Sequence, residues 1–374
     1  MVKALVVGGT GPTGPHVVNG LLDRGFEVSI LHTGAHESPE IPAQVEHIHT
    51  DPFDSEKTSQ ALGSRTFDLA IVMYGRLREL ANLLVGKAGK LVSVGGVPAY
   101  SGWGDADALW PPGMRVPTRE TARLVINENK DFAVNRKVAN IAITEAAVFE
   151  LHPSASHIRY PWIYGPGQVA CTEWSIVRRI LDGREQLILP DGGMSLQSRA
   201  YAINAAEMLL TVVDNSERAA GQAYNASDEW TPTLLQWVDI ISASLDHSFE
   251  VINMPWEYAT LAQRFTLRGT PHHRVTSCEK AMFELGYRDV VDPIEGLSVT
   301  ARHLAENPLE RGGAAERSLS DLFDYDGEDL LIQAWREATK DLGKVARRVD
   351  AGLKDRYSAL FNDHDRKGWT TIQR

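Results

Sequence analysis

Four glycines near the start of the chain have the spacing of an anion-binding turn. Gly8, Gly9, Gly11 and Gly14 follow a short apolar run at residues 3–7 and precede an amphipathic segment. Glycine lets such a turn close tightly and lets backbone N–H groups approach a pyrophosphate, whose charge the next helix N-terminus stabilises. The spacing therefore predicts a dinucleotide-binding turn, whose other members are Thr10, Pro12 and Thr13.

The end of the second apolar run indicates which dinucleotide is preferred. An acidic residue there would bind the ribose hydroxyls of NAD, and a nearby arginine would accommodate the phosphate of NADP. The stretch has neither, but His32, Thr33 and His36 carry groups that hydrogen-bond a phosphate. We expect NADP or NAD, with a slight preference for NADP. Asp51 and Asp54, after the third run, are expected to reach the adenine side, and the alternative is a solvated turn. Pro52, between them, is also expected to contact the cofactor.

These residues must be positioned by strands that end at one edge of a sheet. Short apolar runs alternate with segments of helical periodicity, which is typical of parallel strands joined by right-handed crossovers. The sequence predicts an α/β fold, a Rossmann-type doubly wound parallel sheet with a smaller α/β substrate domain and a helical C-terminal extension. Strands are predicted at residues 3–7, 27–31, 45–49, 69–73, 90–94 and 157–160, and helices at residues 131–150, 199–213 and 329–361.

Turn clusters and changes in composition divide the chain. We assign residues 1–165 and 196–225 to the dinucleotide-binding domain, and residues 166–195 and 226–301 to the substrate-binding subdomain. Residues 302–374 form the helical extension, in which charged residues are denser and nearly balanced in sign. The acidic residues 324–329 resemble a calcium loop, but Leu322 stands where its first carboxylate is required, so we expect them to cap a helix instead.

Charge and composition exclude several classes of function. The 374 residues carry 38 Lys plus Arg against 49 Asp plus Glu, a net charge of −11. This balance argues against a nucleic-acid partner, because proteins bind the phosphate backbone mainly through Lys and Arg.

No apolar run is long enough to span a membrane, so we expect a cytoplasmic protein. Cys171 and Cys278 lack metal-ligand spacing, and His272–His273 has no carboxylate at a ligand spacing, so no metal is predicted.

Several motifs, in order, resemble the extended short-chain dehydrogenase/reductases, the NAD-dependent epimerase/dehydratase family. They are the glycine turn, the Asp51–Asp54 turn, the strand and loop at residues 90–100, the segment 159–167 and the segments 280–287 and 294–297. The resemblance covers about residues 1–305. It implies cofactor contacts at Tyr74, Gly75, Gly95, Tyr160, Pro161 and Ile163 and a homodimer as the assembly.

The catalytic residues of that family are replaced in this chain. The resemblance implies a Ser or Thr after the fifth strand and a Tyr-x-x-x-Lys pair on the next helix, in which Tyr exchanges the proton. Gly96, Phe132 and Arg136 stand at these positions. Lys137 does not restore the pair, because one residue turns it about 100° from the Phe132 face. Arg136, a permanent cation, is expected to hold a ribose hydroxyl or a phosphate.

Conventional dehydrogenation would therefore need a different side chain to exchange the proton with the substrate. Tyr100 and Tyr74 are the candidate replacements, because ligands of doubly wound folds bind at the carboxyl ends of the strands. Tyr164 is expected near the nicotinamide. For each of these tyrosines the alternative is a buried or lining aromatic residue.

Tryptophans concentrate in the loops and in the substrate segments. Aromatic walls with few polar groups favour a small apolar or aromatic substrate, whereas the alternative is that these rings fill a domain interface. The rings in question are Trp103, Trp110, Trp162, Trp174, Trp230 and Trp256. We expect an atypical NAD(P)-dependent oxidoreductase. The alternatives are a lyase or isomerase with tightly bound nucleotide, and a non-enzymatic sensor.

Overall fold

The computed structural model describes residues 2–125, 136–266 and 269–349. A seven-stranded parallel sheet forms its centre. The strands are β1 (Val2–Val7), β2 (Phe26–His32), β3 (Glu46–His49), β4 (Phe67–Val72), β5 (Ala88–Gly96), β6 (Ser156–Tyr160) and β10 (Ala223–Asn225). Their order across the sheet is β10-β6-β5-β4-β1-β2-β3. The predicted doubly wound α/β fold is confirmed, and each of the six predicted strands is present with its bounds shifted by two residues or fewer.

Helices cover both faces of this sheet. Helices α1 (Gly14–Asp23) and α6 (Ala202–Asp214) lie on one face, and α2 (Ser55–Leu62), α3 (Leu77–Leu84) and α4 (Arg136–Leu151) lie on the other. Side chains therefore alternate between two cores, with Val6 in the first and Leu5 and Val7 in the second. Burial on both faces explains why the strands appear as nearly continuous apolar runs.

Two small parallel pairs lie outside the main sheet. Strand β7 (Trp162–Tyr164) pairs with β9 (Arg199–Tyr201), and β8 (Gln186–Pro190) pairs with β11 (Glu250–Met254). The predicted helix at residues 199–213 is corrected at its start, because residues 199–201 form β9 and α6 begins at Ala202. The remaining helices between residues 166 and 306 are α5 (Trp174–Leu181), α7 (Leu234–Ala243), α8 (Glu279–Leu285) and α9 (Pro293–Glu306).

The chain divides into two compact units, residues 1–322 and 323–374. The first unit ends with the short helix α10 (Ala314–Ser318), and the second contains α11 (Tyr325–Thr339) and α12 (Leu342–Arg348). The Asp324 carboxylate accepts a hydrogen bond from the Gly327 N–H at the start of α11. The capping role predicted for this acidic segment is thus confirmed.

No helix within the described ranges is both long and apolar enough to cross a membrane.

Candidate functional site

The glycine turn between β1 and α1 closes in a way that only glycine permits at two positions. Gly8 has a φ of +91°, and a Cβ there would lie 2.4 Å from the Cβ of Tyr74. A Cβ on Gly14 would lie 2.2 Å from the Gly9 carbonyl oxygen. A Cβ on Gly11, in contrast, would have no atom within 4 Å. The tight positions hold the turn against the sheet, and the open position leaves room for a ligand to approach the backbone.

The turn itself has two unpaired backbone donors just before α1 begins. Among the described residues, neither the Thr10 N–H nor the Gly11 N–H has a hydrogen-bond partner in the protein. Thr13 precedes the helix without a side-chain cap. Free N–H groups and the positive end of a helix dipole favour an anion. These groups suit an anion such as a pyrophosphate, and the role of the turn in dinucleotide binding stays a prediction.

The ends of the neighbouring strands meet beside the turn. Pro52 packs against Gly75, where a Cβ would lie 2.7 Å from the Cβ of Pro52, and the Phe53 and Tyr74 rings meet edge to face at 5.1 Å. Asp51 uses Oδ1 to accept a hydrogen bond from the Phe53 N–H. The structure therefore brings the predicted residues after the third and fourth strands together beside Gly8.

His32, at the end of β2, is less accessible than we expect for a residue that binds a phosphate. His32 is 4% exposed, its Nε2 lies 3.0 Å from His47 Nδ1, and its Nδ1 accepts a hydrogen bond from the Gly34 N–H at 3.3 Å. Burial lowers the pKa of His32. Thr33 is exposed, and its hydroxyl accepts from the Ala35 N–H. His32 thus faces other side chains of the chain, whereas Thr33 stays accessible.

An open cavity of about 780 Å³ lies at the carboxyl ends of β4, β5 and β6. Its apolar walls come from Met73, Val94, Val97, Trp103, Ile141 and Trp162. Gly95, Gly96, Tyr160 and Pro161 also line it, so the family-like motifs at the ends of β5 and β6 meet here. The position of the cavity is the one at which doubly wound folds bind ligands.

Helix α4 supplies polar groups to the cavity. Asn140 and Thr144 line it, one turn apart on the helix. Position 136 begins the helix one turn before Asn140. The Arg136 side chain and Phe132 lie outside the described part of the chain, so the predicted catalytic and ribose contacts of Arg136 stay predictions. Gly96 lines the cavity without a hydroxyl where the family resemblance implies a Ser or Thr.

The placement of Tyr100 corrects the prediction that its phenol lies in the crevice. Tyr100 is 1% exposed, and its hydroxyl donates to Asn225 Oδ1 at 2.8 Å and accepts from Arg159 Nη1 at 2.6 Å. Burial raises the pKa of Tyr100 to about 12. Arg159 forms a two-pronged ion pair with Glu145, at 2.9 and 2.6 Å. Tyr100 is a member of this buried network and has no open path to a substrate.

His157 lies next to that network at the cavity wall. Its Nδ1 is 2.8 Å from Ser93 Oγ, and its Nε2 is 3.4 Å from Glu145 Oε2. Burial lowers the pKa of His157 to about 4, so the imidazole is neutral near pH 7. A Cβ on Gly95 would lie 2.4 Å from His157 Nε2. The glycine at position 95 is therefore required by the imidazole behind it.

The segment after β6 turns its hydroxyls away from the cavity. The Tyr160 hydroxyl donates to the Ala205 carbonyl, and the Tyr164 hydroxyl donates to Asp228 Oδ2 at 2.9 Å. Tyr164 is buried, so the phenol expected near the nicotinamide points into the protein interior. Ile163 is half-buried in β7 and is not among the described cavity-lining residues.

Asp228 ties the segment after β10 to β9 and α6. Its Oδ1 accepts from the Tyr201 N–H and from Asn204 Nδ2, each at 3.0 Å. Burial raises the pKa of Asp228 to about 7, and the nearby Asp289 carboxylate adds to the rise. Asn204 also accepts from the N–H groups of residues 290 and 291.

Two of the six predicted aromatic wall residues line the cavity, Trp103 and Trp162. Trp174 is buried and donates through Nε1 to Glu316, whereas Trp110 is 93% exposed. Trp174 therefore fits the alternative that these rings fill a domain interface better than the prediction that they contact a substrate.

Solved structures of epimerases and dehydratases are similar to this chain. A dTDP-glucose 4,6-dehydratase from Bacillus anthracis, in complex with NAD, is 15% identical with a TM-score of 0.62, over 82% of this chain and 97% of that chain. The chain has the epimerase/dehydratase fold. A UDP-glucose 4-epimerase from Thermotoga maritima, with UDP-glucose, is 16% identical with a TM-score of 0.62, over 82% and 99% of the two chains.

A UDP-glucuronic acid 4-epimerase from Bacillus cereus, in complex with UDP-glucuronic acid and NAD, is also similar. It is 14% identical with a TM-score of 0.63, over 82% of this chain and 100% of that chain. No protein-family model matches the sequence. No curated protein matches it either. The fold predicted from the resemblance is thus confirmed, whereas identities this low show the fold alone.

Sequence reasoning missed two groups of residues around the site. One is the pair Asn140 and Thr144, whose spacing on a predicted helix placed them on one face. The other is the alternation His47-x-His49 in a predicted strand, which puts both imidazoles on one side of β3 and next to His32.

Proposed function

We propose that the chain is an NAD(P)-binding enzyme, an atypical member of the extended short-chain dehydrogenase/reductase family that acts on a small apolar or aromatic molecule. The observation that carries this proposal is the combination of the open position at Gly11 with the free N–H groups of residues 10 and 11, beside an open cavity at the same sheet edge. The NAD present in structures of the same fold supports it.

In this proposal the turn holds the pyrophosphate through its backbone N–H groups and the N-terminus of α1. Tyr74 packs its Cβ against Gly8, so we assign its ring to the nucleotide rather than to proton transfer. Arg136 holds the nicotinamide ribose, in place of the usual lysine. The nicotinamide supplies a hydride acceptor or donor when it is bound.

The cavity orients the substrate. Trp103 and Trp162 pack against an apolar or aromatic body, and the Asn140 side chain donates a hydrogen bond to the oxygen on the reacting carbon. The Thr144 hydroxyl donates to the Asn140 carbonyl oxygen, so it serves this substrate oxygen only as an acceptor. The cavity mouth is open, so we propose that this oxygen exchanges its proton with water. An open cavity lined by polar groups from α4 and by Arg76, Arg78 and Glu79 around the start of α3 favours an enzyme over a sensor.

Nucleotide binding is the first test. We expect NADPH and NADH to quench tryptophan fluorescence, with NADPH binding somewhat more tightly. Gly11→Ala adds a methyl group in open space and keeps the fold, but it holds the pyrophosphate away from the backbone. Loss of one charge-assisted hydrogen bond costs about 1.5–3 kcal/mol, or roughly 10- to 150-fold in affinity.

The control is Gly86→Ala, between α3 and β5 at the opposite end of the sheet. Its Cβ would have no atom within 4 Å, but the φ of +72° makes the substitution strained, so this variant reports what backbone strain alone does to binding. It should leave the dissociation constant unchanged. Binding of neither nucleotide by the wild type would overturn the proposal. Equal affinity of Gly11→Ala and the wild type would overturn the assignment of the turn.

Turnover separates the two chemistries. With aromatic aldehydes, ketones or alcohols as candidate substrates, an oxidoreductase changes the absorbance at 340 nm in proportion to product. Product formation with bound nucleotide and no net change at 340 nm would instead select the lyase or isomerase alternative.

A further inference from the structure

Four side chains converge at the ends of β2 and β3. We propose that His32, His47, His49 and Glu37 form a binding site for a divalent transition-metal ion of the zinc type. Their ligand atoms all lie within 4.8 Å of one another. The four residues belong neither to the glycine turn nor to the cavity lining, although His32 is also a predicted nucleotide contact, and neither the fold nor the proposed reaction calls for an ion here.

The distances between the donor atoms fit a tetrahedral ion. His32 Nε2 is 3.0 Å from His47 Nδ1 and 3.9 Å from Glu37 Oε1. The Glu37 oxygens lie 3.2 Å from His47 Nδ1 and 3.2 Å from His49 Nε2. Zinc bonds of about 2.0–2.1 Å to nitrogen and oxygen place tetrahedral ligands about 3.3 Å apart. The observed spacings bracket that value, so small side-chain movements complete the site.

The strands hold three of the ligands firmly. His47 and His49 alternate along β3 and so share one side of the strand, and His49 pairs with His32 in the β2–β3 register. The three rings pack edge to face, with centroids 4.9 to 5.8 Å apart. Glu37 comes from the loop that joins β2 and β3. An ion would therefore tie this loop to the edge of the sheet.

With Glu37 ionised and the Gly34 N–H donating to His32 Nδ1, no protonation state of His47 satisfies both of its contacts. His47 Nδ1 faces both His32 Nε2 and a Glu37 oxygen. If it carries a proton it donates to Glu37 and cannot accept from His32, and if it does not it opposes the lone pairs of Glu37. A cation between the four groups makes every contact attractive.

Burial and chemistry select the kind of ion. Imidazole nitrogens with one carboxylate suit zinc and its neighbours in the first transition series, whereas magnesium and calcium prefer oxygen ligands. His32 is buried, but the His49 and Glu37 side chains are about half exposed, which gives the ion a path of entry. When His32 binds the ion through Nε2, its ring proton lies on Nδ1. The Gly34 N–H, now 3.3 Å from that atom, must then move away.

The test uses the untagged full chain after removal of metals with EDTA. Cobalt(II) is the probe, because a tetrahedral site gives intense visible bands, and zinc is then used to displace it. We expect one cobalt per chain and loss of the bands on addition of one equivalent of zinc. His47→Ala with His49→Ala should weaken binding by more than about a hundredfold, since outer-shell changes alone cost 10- to 100-fold.

His36→Ala is the matched control, because His36 is exposed in the same loop but does not belong to the cluster. It should bind cobalt as the wild type does. Absence of the visible bands in the wild type would overturn the proposal, and so would equal cobalt affinity of the double variant and the wild type. Nucleotide is left out of every sample, so the result does not depend on the proposed function.

Discussion

Replacing Asp228 by Asn should change how stability depends on pH. The folded protein holds a proton on Asp228 up to about pH 7, whereas the unfolded chain releases it near its ordinary value of 3.8. Folding therefore takes up a proton between these values, and the free energy of unfolding falls as the pH rises from about 4 to about 7. Three pH units correspond to about 4 kcal/mol at 1.36 kcal/mol each.

Asp228→Asn removes the ionisation but keeps most of the contacts. The amide oxygen can accept from the Tyr201 N–H and from Asn204, and the Tyr164 hydroxyl can turn to accept from the new amide. We expect the variant to match the wild type near pH 4 and to exceed it by several kcal/mol at pH 8.

Urea unfolding followed by far-ultraviolet circular dichroism, at intervals from pH 4 to pH 8, measures this difference. The difference curve between the two proteins removes the contribution of His157, whose lowered pKa makes stability fall in both proteins as the pH drops from about 6.5 towards 4. It contains the ionisation of Asp228 together with its coupling to the Asp289 carboxylate. Asp105→Asn makes the same chemical change on an exposed side chain and serves as the control. Parallel curves for Asp228→Asn and the wild type would refute the reasoning.

Three further substitutions test other contacts. Gly14→Ala should lower the melting temperature sharply, because its Cβ would lie 2.2 Å from the Gly9 carbonyl oxygen, and a melt equal to that of the wild type would contradict this geometry. Tyr100→Phe should lower the free energy of unfolding by about 1–3 kcal/mol in a denaturant titration, because it leaves Arg159 and Asn225 without their buried partner. It should leave nucleotide affinity unchanged. Loss of affinity without loss of stability would argue for a catalytic role. Glu145→Gln should cost about 3–5 kcal/mol, because it leaves the Arg159 charge buried, and a cost below about 1 kcal/mol would show that the pair is dispensable.

The sheet could be predicted because its strands are buried on both faces. Such strands form short continuous apolar runs that differ from the amphipathic helices between them. Strand β10 has three residues, too few for a run to stand out, and it joins the sheet only by pairing with β6. The start of α6 was misplaced for a similar reason, since three residues of β9 directly precede it.

The glycine turn was predictable because it is local, whereas the burial of Tyr100 was not. Its partners Arg159 and Asn225 are 59 and 125 residues away in sequence, and only the packed sheet brings them together. The proposed metal site at the ends of β2 and β3 was only partly predictable from the sequence. The His47-x-His49 alternation is visible in sequence, but its meaning depends on the register that places His32 beside it.

The hydrogen bonds of Asn204 restrict how this chain can be recombined with its structural relatives. Asn204 lies in α6, within the segment predicted to bind the nucleotide, yet its amide holds Asp228 and the backbone at residues 290 and 291. A chimera that transplants residues 226–301 into another protein of this fold would leave these groups without their partner. A transplant that carries α6 along with that segment keeps the junction intact, so substrate specificity should be exchanged with the two pieces moved together.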